Sequence, residues 1–588
     1  MDVLLLTFAN SRTNPLPTLA GEYAELSKRL WPRALRQHYL ACPVSHATLD
    51  DVAYYLTLFR NRLSLFLFSG HAHRDALITE DGAARADGIA HLLAQCPNLK
   101  VVVLNGCSTV GQVEALHRAG VPLVIATSAP VGDEIAAKFS ERLFQALETG
   151  LTIGEAFEQA IGEAQARQPL NVERGPAPRS ESRDNEPLWG IKPHPDKPDA
   201  AGWKLPTTPV KTALQYHEPN EVLLETLYHT LAETNPKLRE LRDAGAEMDT
   251  RQEEIISALL RALPAPLSEH VRKLVAPSTP GATGGWDQVG QQRLAQMVQT
   301  YQICMDFLLY TLLAQVWEDV YRKGLQWRPA PALLRELRFF LELDAAARRD
   351  CDYFSVIRLL REALDQAGET PFIVEYVRLR EDFMANDAVK DACFFLEALR
   401  RQSESAGLPE MTELCARAEE SLAVIFGKLG FLGRYQLATV RNIDVLKYRR
   451  TNTAAFKHMV VKWHGTLGYY QKEYPVLPNV MDNRSVVLLR LGEGPEAHFL
   501  NLSPFILDEN TFEKVPDTSL SKLYFFAWQQ QGRLRYKYVN EPEHDVIDLD
   551  DPEFFDRKEK TNKFQAAKAQ FEAFYKAVFD EKPNPAAP

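Results

Sequence analysis

Two short segments of this 588-residue chain hold the residue types from which a nucleophilic site can be made. Phe68-Ser69-Gly70-His71-Ala72-His73 ends one apolar run, and Leu104-Asn105-Gly106-Cys107-Ser108-Thr109 ends the next. A thiolate is the nucleophile of cysteine chemistry; an imidazole beside it lowers the thiol pKa, orients attack and protonates a leaving amine. His71 and Cys107 are the candidates for those two roles, with Gly70 and Gly106 leaving room for sharp backbone turns. The amides of Ala72 and Cys107 are candidates for an oxyanion hole, a set of N–H donors aimed at a developing negative oxygen. On spacing alone the pair stays open, because a free cysteine more often fills a core as a small hydrophobe. His73 is an alternative base, with a solvent-facing loop histidine as its competing description.

Such a pairing needs elements that carry positions 71 and 107 to one place. Val3–Phe8, Leu63–Phe68, Lys100–Leu104 and Pro122–Thr127 are continuous apolar runs of strand length. Amphipathic stretches near 48–60, 87–95, 109–119 and 131–149 lie between or after them. Strands apolar on both faces and separated by helices predict a mostly parallel sheet covered on both sides, an α/β sandwich over residues 1–168. Residues just past the carboxyl ends of neighbouring parallel strands share one edge, where such folds place their sites.

The rest of the chain reads differently. Nine of the 36 prolines fall between Pro169 and Pro209, which predicts a linker over 169–214, whose one apolar island, Glu186-Pro187-Leu188-Trp189-Gly190, is placed to dock back onto the first domain. Residues 215–440 carry helical periodicity: Val356, Leu359, Leu360 and Leu364 share one helix face, and the glycines at 281, 284 and 285 mark an internal loop. A mainly helical regulatory or partner-binding region is expected there. Residues 441–588 are expected to form a small β-rich or α+β module, with strand patterns from about 480 and a closing charged helix near 558–580.

Composition excludes several classes of protein. Apolar residues make up 45% and charged residues 25%, ordinary values for a folded multidomain chain. A net charge of -11, without a long basic run, argues against direct nucleic-acid binding. Seven scattered cysteines without metal-type spacing read as reduced thiols, and Ile303–Val316 is too short, and carries Asp306, for a membrane span. A cytoplasmic protein is expected. The acidic stretch from Glu543 to Asp551 lacks the glycine and spacing of a calcium loop, and the glycines near 281–285 and Gly427-Lys428 lack the phosphate-loop pattern. No metal or cofactor is therefore expected.

At the level of whole blocks, residues 1–168 resemble the CHAT domain, a caspase-like branch of the clan that holds caspases, metacaspases and separase. The carriers are Ser69-Gly70-His71, Leu104-Asn105-Gly106-Cys107-Ser108, Ala119-Gly120-Val121-Pro122-Leu123-Val124-Ile125-Ala126, and Val131-Gly132-Asp133 leading through Phe139 and Leu147 to Gly150-Leu151-Thr152. The resemblance implies a caspase-like fold, His71 as general acid/base, Cys107 as nucleophile, and peptide-bond hydrolysis through a thioester. It also makes Arg12, in the loop after the first strand, and Asp133 candidates for substrate binding. A surface arginine and a carboxylate favoured by a helix dipole are their plainer descriptions. Ala72 stands where the family often has glycine. Ser128-Ala129-Pro130 replaces the tryptophan and acidic residues that many members carry, so cleavage after a basic residue is not implied. The expected function is a cysteine endopeptidase, activated by a protein partner and cutting a dedicated protein target in prokaryotic defence or cell death. The alternatives are a catalytically silent CHAT scaffold that recruits partners, and acyl transfer through the same thioester.

Overall fold

The structure is a computed structural model. It describes residues 1–10, 15–128, 130–167, 189–207, 218–245, 248–277, 285–321, 323–324, 327, 329–342, 353–368, 370–379, 381, 385–401, 408–465, 470–491, 499–512, 522–556 and 561–579. The chain forms two compact units, Met1–Ala213 and Leu214–Pro588.

The first unit alternates strands and helices: β1 (Val3–Ala9), α1 (Leu19–Leu35), β2 (Leu40–Val44), α2 (Leu49–Leu58), β3 (Leu63–Gly70), a hairpin sheet of β4 (Ala72–His73), β5 (Ala76–Thr79) and β6 (Gly82–Arg85), α3 (Ala86–Ala94), β7 (Val101–Asn105), α4 (Val113–Arg118), β8 (Leu123–Thr127), α5 (Asp133–Glu148), α6 (Ile153–Arg167) and β9 (Trp189–Pro193). The main sheet has the order β2-β1-β3-β7-β8-β9. Its first five strands are mutually parallel, and β9 runs antiparallel to β8. The four long apolar runs thus become adjacent central strands, buried on both faces as a doubly covered sheet demands.

Side chains alternate across a strand, so odd and even positions face opposite layers. Leu65 and Leu67 of β3, with Val101 and Val103 of β7, share one core with Leu26 and Leu30 of α1, Phe139, Leu143 and Leu147 of α5, and Ala156 and Phe157 of α6. The same parity carries Ser69 and Asn105 onto this face at the strand ends. Helices α2, α3 and α4 pack in series as a separate group.

Two features depart from the sequence reading. Residues 189–193, within the expected linker, form β9; Trp189 is fully buried and stacks on Phe139 with ring centroids 4.3 Å apart. Residues 168–188, with the rest of the apolar island, lie outside the described residues, as do positions 281 and 284. In addition, α1, β2, the β4–β6 hairpin and α6 occupy stretches where the sequence analysis places no strand or helix.

The second unit begins with helices from Glu221–Ala232 to Leu408–Phe426. One of them, Gln291–Tyr321, is buried from Ile303 through Val316, so this apolar stretch is core. Among the described residues no helix is long and apolar enough to cross a membrane. Strands start at Tyr435, earlier than the expected 480, because Tyr435–Leu446 pairs with both Ala455–Trp463 and Ser485–Arg490. A second antiparallel sheet runs Ile506–Asp508, Leu523–Gln530, Arg533–Tyr538 and Val546–Asp548, and helix Gln565–Phe579 closes the chain.

Candidate active site

The register of β3 and β7 pairs Phe68 with Leu104 and Ser69 with Asn105. His71 and Cys107 therefore each stand two residues beyond the last paired positions of neighbouring parallel strands, at the carboxyl edge of the sheet. The two turns are pressed together. A Cβ on Gly106 would lie 2.7 Å from both the Gly70 carbonyl oxygen and the Ala72 Cβ, and 3.5 Å from the Ala72 amide nitrogen. Only glycine fits at 106, which leaves room on the opposite loop for both the Gly70 carbonyl and the Ala72 methyl. A Cβ on Gly70 would meet the Ala9 carbonyl oxygen at 2.4 Å, which locks the β3 turn against β1 as well.

Past Cys107 the chain turns abruptly. Ser108 sits in the left-handed region at φ 56°, a conformation that costs a non-glycine residue about 1 kcal/mol or more. A short 3-10 turn, Thr109–Gln112, follows and leads into α4. The corner is held by hydroxyls: the Thr109 amide donates to Thr127 Oγ1 at 3.1 Å, the Thr127 amide to Thr109 Oγ1 at 2.9 Å, and the Thr127 hydroxyl to the Gly106 carbonyl. Gln112 Nε2 donates to the His73 carbonyl at 2.9 Å, tying the 3-10 turn to the hairpin that follows His71. Cys107 is half-buried, and its thiol donates to the Val131 carbonyl at 3.8 Å, beside the loop between β8 and α5.

The remaining candidates fall in different places. Ala72, whose amide is an oxyanion candidate beside that of Cys107, is buried and pairs with Leu77 in the hairpin. His73 is exposed on β4. Asp133 Oδ2 accepts the Thr18 amide at 2.9 Å, and its carbonyl accepts the Thr18 hydroxyl, so this carboxylate ties the start of α5 to the start of α1. Arg12 lies outside the described residues.

One residue was missed altogether. Glu22, on the buried stripe of α1 with Leu19, Leu26 and Leu30, is 2% exposed. Its Oε2 accepts the Ser69 hydroxyl at 2.8 Å and its Oε1 accepts Asn105 Nδ2 at 3.2 Å. Asn105 Nδ2 also donates to Ser140 Oγ at 2.7 Å and to the Ala136 carbonyl at 2.9 Å. Burial away from water pushes the Glu22 carboxyl up to about 7, against the pull of hydrogen bonds from Ser140, Ser69 and Asn105; Asp133 adds a smaller upward push. The sequence carries the signal, a carboxylate on an apolar helical stripe, but Gly21 and Pro32 weaken the helical pattern of α1.

The carboxyl edge thus brings a thiol, an imidazole-bearing turn and closely packed backbone amides together, the components of nucleophilic acyl chemistry. Residues 7–221 match the family model of the CHAT domain. No curated protein matches the chain. Over residues 7–221 the chain thus carries a CHAT domain, a caspase-like, protease-related kind of domain.

Proposed function

We propose that the first unit is a cysteine endopeptidase with Cys107 as nucleophile and His71 as general acid/base. The observation that carries this reading is the Ser69–Asn105 pairing, which sets the two residues at equivalent positions past adjacent parallel strands. His71 takes the thiol proton, and the thiolate adds to a peptide carbonyl whose oxygen is met by the amides of Ala72 and Cys107. His71 then protonates the departing amine, leaving a thioester that water hydrolyses. Asp133, engaged by Thr18, has a bracing role on this reading, and Arg12 remains the candidate for reading the substrate side chain.

The second unit is the regulatory and partner-binding region: a protease that shares a compartment with its host's proteins needs restraint. A dedicated protein target in prokaryotic defence or cell death, cut after activation by a protein partner, completes the proposal. A cytoplasmic location accords with six described cysteines that are all free thiols.

The test is co-expression with the proteins encoded beside its gene. Cleavage of one neighbour by the wild type, lost in Cys107→Ala and His71→Ala, is the expected result. Cleavage that survives Cys107→Ala would sink the reading.

A further inference from the structure

Burying an ionisable carboxyl is costly unless a cation or a dense set of donors meets it. Glu22 is met by neutral groups, Ser69, Asn105 and Ser140. Ser69 and Asn105 are the paired terminal residues of β3 and β7, each two positions before His71 and Cys107. A displacement of the carboxyl therefore acts on both turns at once. Because the turns are already in backbone contact at Gly106, little slack separates one from the other. Among the described residues, the charged side chain acting on Glu22 from a packed neighbour is Asp133 of α5; the groups that bond it from β3 and β7 are neutral.

We propose that Glu22 is a positioning residue of this site: its carboxyl couples the His71 and Cys107 turns through Ser69 and Asn105, and its charge state sets the reactivity of the Cys107 thiol. The inference rests on the dyad reading above but needs no protein substrate for its test. When Glu22 is protonated its carboxyl adds no charge beneath the turns. Once ionised, the carboxylate places a negative charge against Asn105, two residues before Cys107, where it disfavours the thiolate. The burial that holds the carboxyl near 7 places this change in the neutral range.

The experiment measures the rate of Cys107 alkylation by iodoacetamide in the full chain, read by mass spectrometry from pH 5.5 to 8.5. The wild type is compared with Glu22→Gln, which keeps the shape and cannot ionise. The two profiles should coincide below about pH 6 and separate above 7, with Glu22→Gln faster by about fivefold, the effect of one charge at this range in a partly screened interior. Ser140→Ala, which removes a donor to the carboxylate, should move the separation to higher pH. Profiles that superimpose throughout, that differ by one constant factor at every pH, or that show no labelling of Cys107 would overturn the proposal. Separation of the profiles in a protein that cuts no target would instead leave Glu22 in place and remove the peptidase reading.

Discussion

The two units bury acidic side chains by opposite means. In the second, buried carboxylates face cations: Glu419 and Arg293 approach to 2.6 Å, Glu397 and Arg400 to 2.7 Å, and Asp306 and Lys537 to 2.5 Å. Glu419 also accepts the backbone amide of Asn220 at 2.9 Å, fixing the start of a helix far away in sequence. In the first unit, Glu22 meets hydroxyls and an amide. A paired charge holds a fold in one register and is expensive to break. A carboxyl among neutral donors is left free to change its charge without losing its contacts. The first arrangement is built for permanence, and the second suits a place where chemistry is done.

This contrast can be broken or sharpened by substitution. The largest effect belongs to Arg293→Ala, which strands the buried Glu419 carboxylate. The second unit should lose about 3–5 kcal/mol in denaturant unfolding, with Cys107 alkylation unchanged. Equal loss of alkylation would mean that the ion pair also supports the first unit's site.

Next comes the pH dependence carried by Glu22. Its folded pKa is raised from the ordinary 4.5 to about 7, so the native state holds the proton more tightly than the unfolded chain. That stability is fully present below about pH 4.5 and is lost as the pH rises through about 7, amounting to about 3 kcal/mol at the buried limit. Amide hydrogen exchange in β3 and β7 should accelerate over this window in the wild type, and less so in Glu22→Gln. Identical pH trends would show that the carboxyl is not held near neutrality.

A smaller effect is expected at the contact between the turns. Gly106→Ala puts a methyl within 2.7 Å of the Gly70 carbonyl and the Ala72 methyl, and should cost about 1–3 kcal/mol while slowing Cys107 alkylation. The double variant Ala72→Gly/Gly106→Ala removes the side-chain half of the clash and should recover part of the loss. Smallest is Thr127→Val, which deprives the Thr109 amide and the Gly106 carbonyl of their partner at about 1–2 kcal/mol, seen as a lower melting temperature.

What could be read from the sequence follows from how each element is buried. Strands β1, β3, β7 and β8 are apolar on both faces and announced themselves, and with them the edge that carries His71 and Cys107. Strand β2 is a half-exposed edge with Pro43 in it, and the β4–β6 hairpin is built mostly from small residues, so neither shows a strong period. Helix α1 carries Gly21 and Pro32 inside it, which weakens its helical signature and hid Glu22. In the second unit, strand Tyr435–Leu446 mixes Arg441, Asn442 and Asp444 into its run. Arg441 is buried there with Asp508, distant in sequence, 3.6 Å away. Pairings of that range are set by tertiary packing rather than by local pattern.

The antiparallel strand at Trp189–Pro193 has a practical consequence for anyone dividing this protein. It covers the outer side of β8 through five paired positions from Leu123–Pro193 to Thr127–Trp189. A fragment stopped at residue 168 would leave β8 as a bare, hydrophobic edge prone to pairing with other molecules, and would strip Phe139 of its stacked indole. A fragment carried through residue 207 keeps that seam closed. A backbone nick between 168 and 188 would leave both pieces clasped by the same ladder.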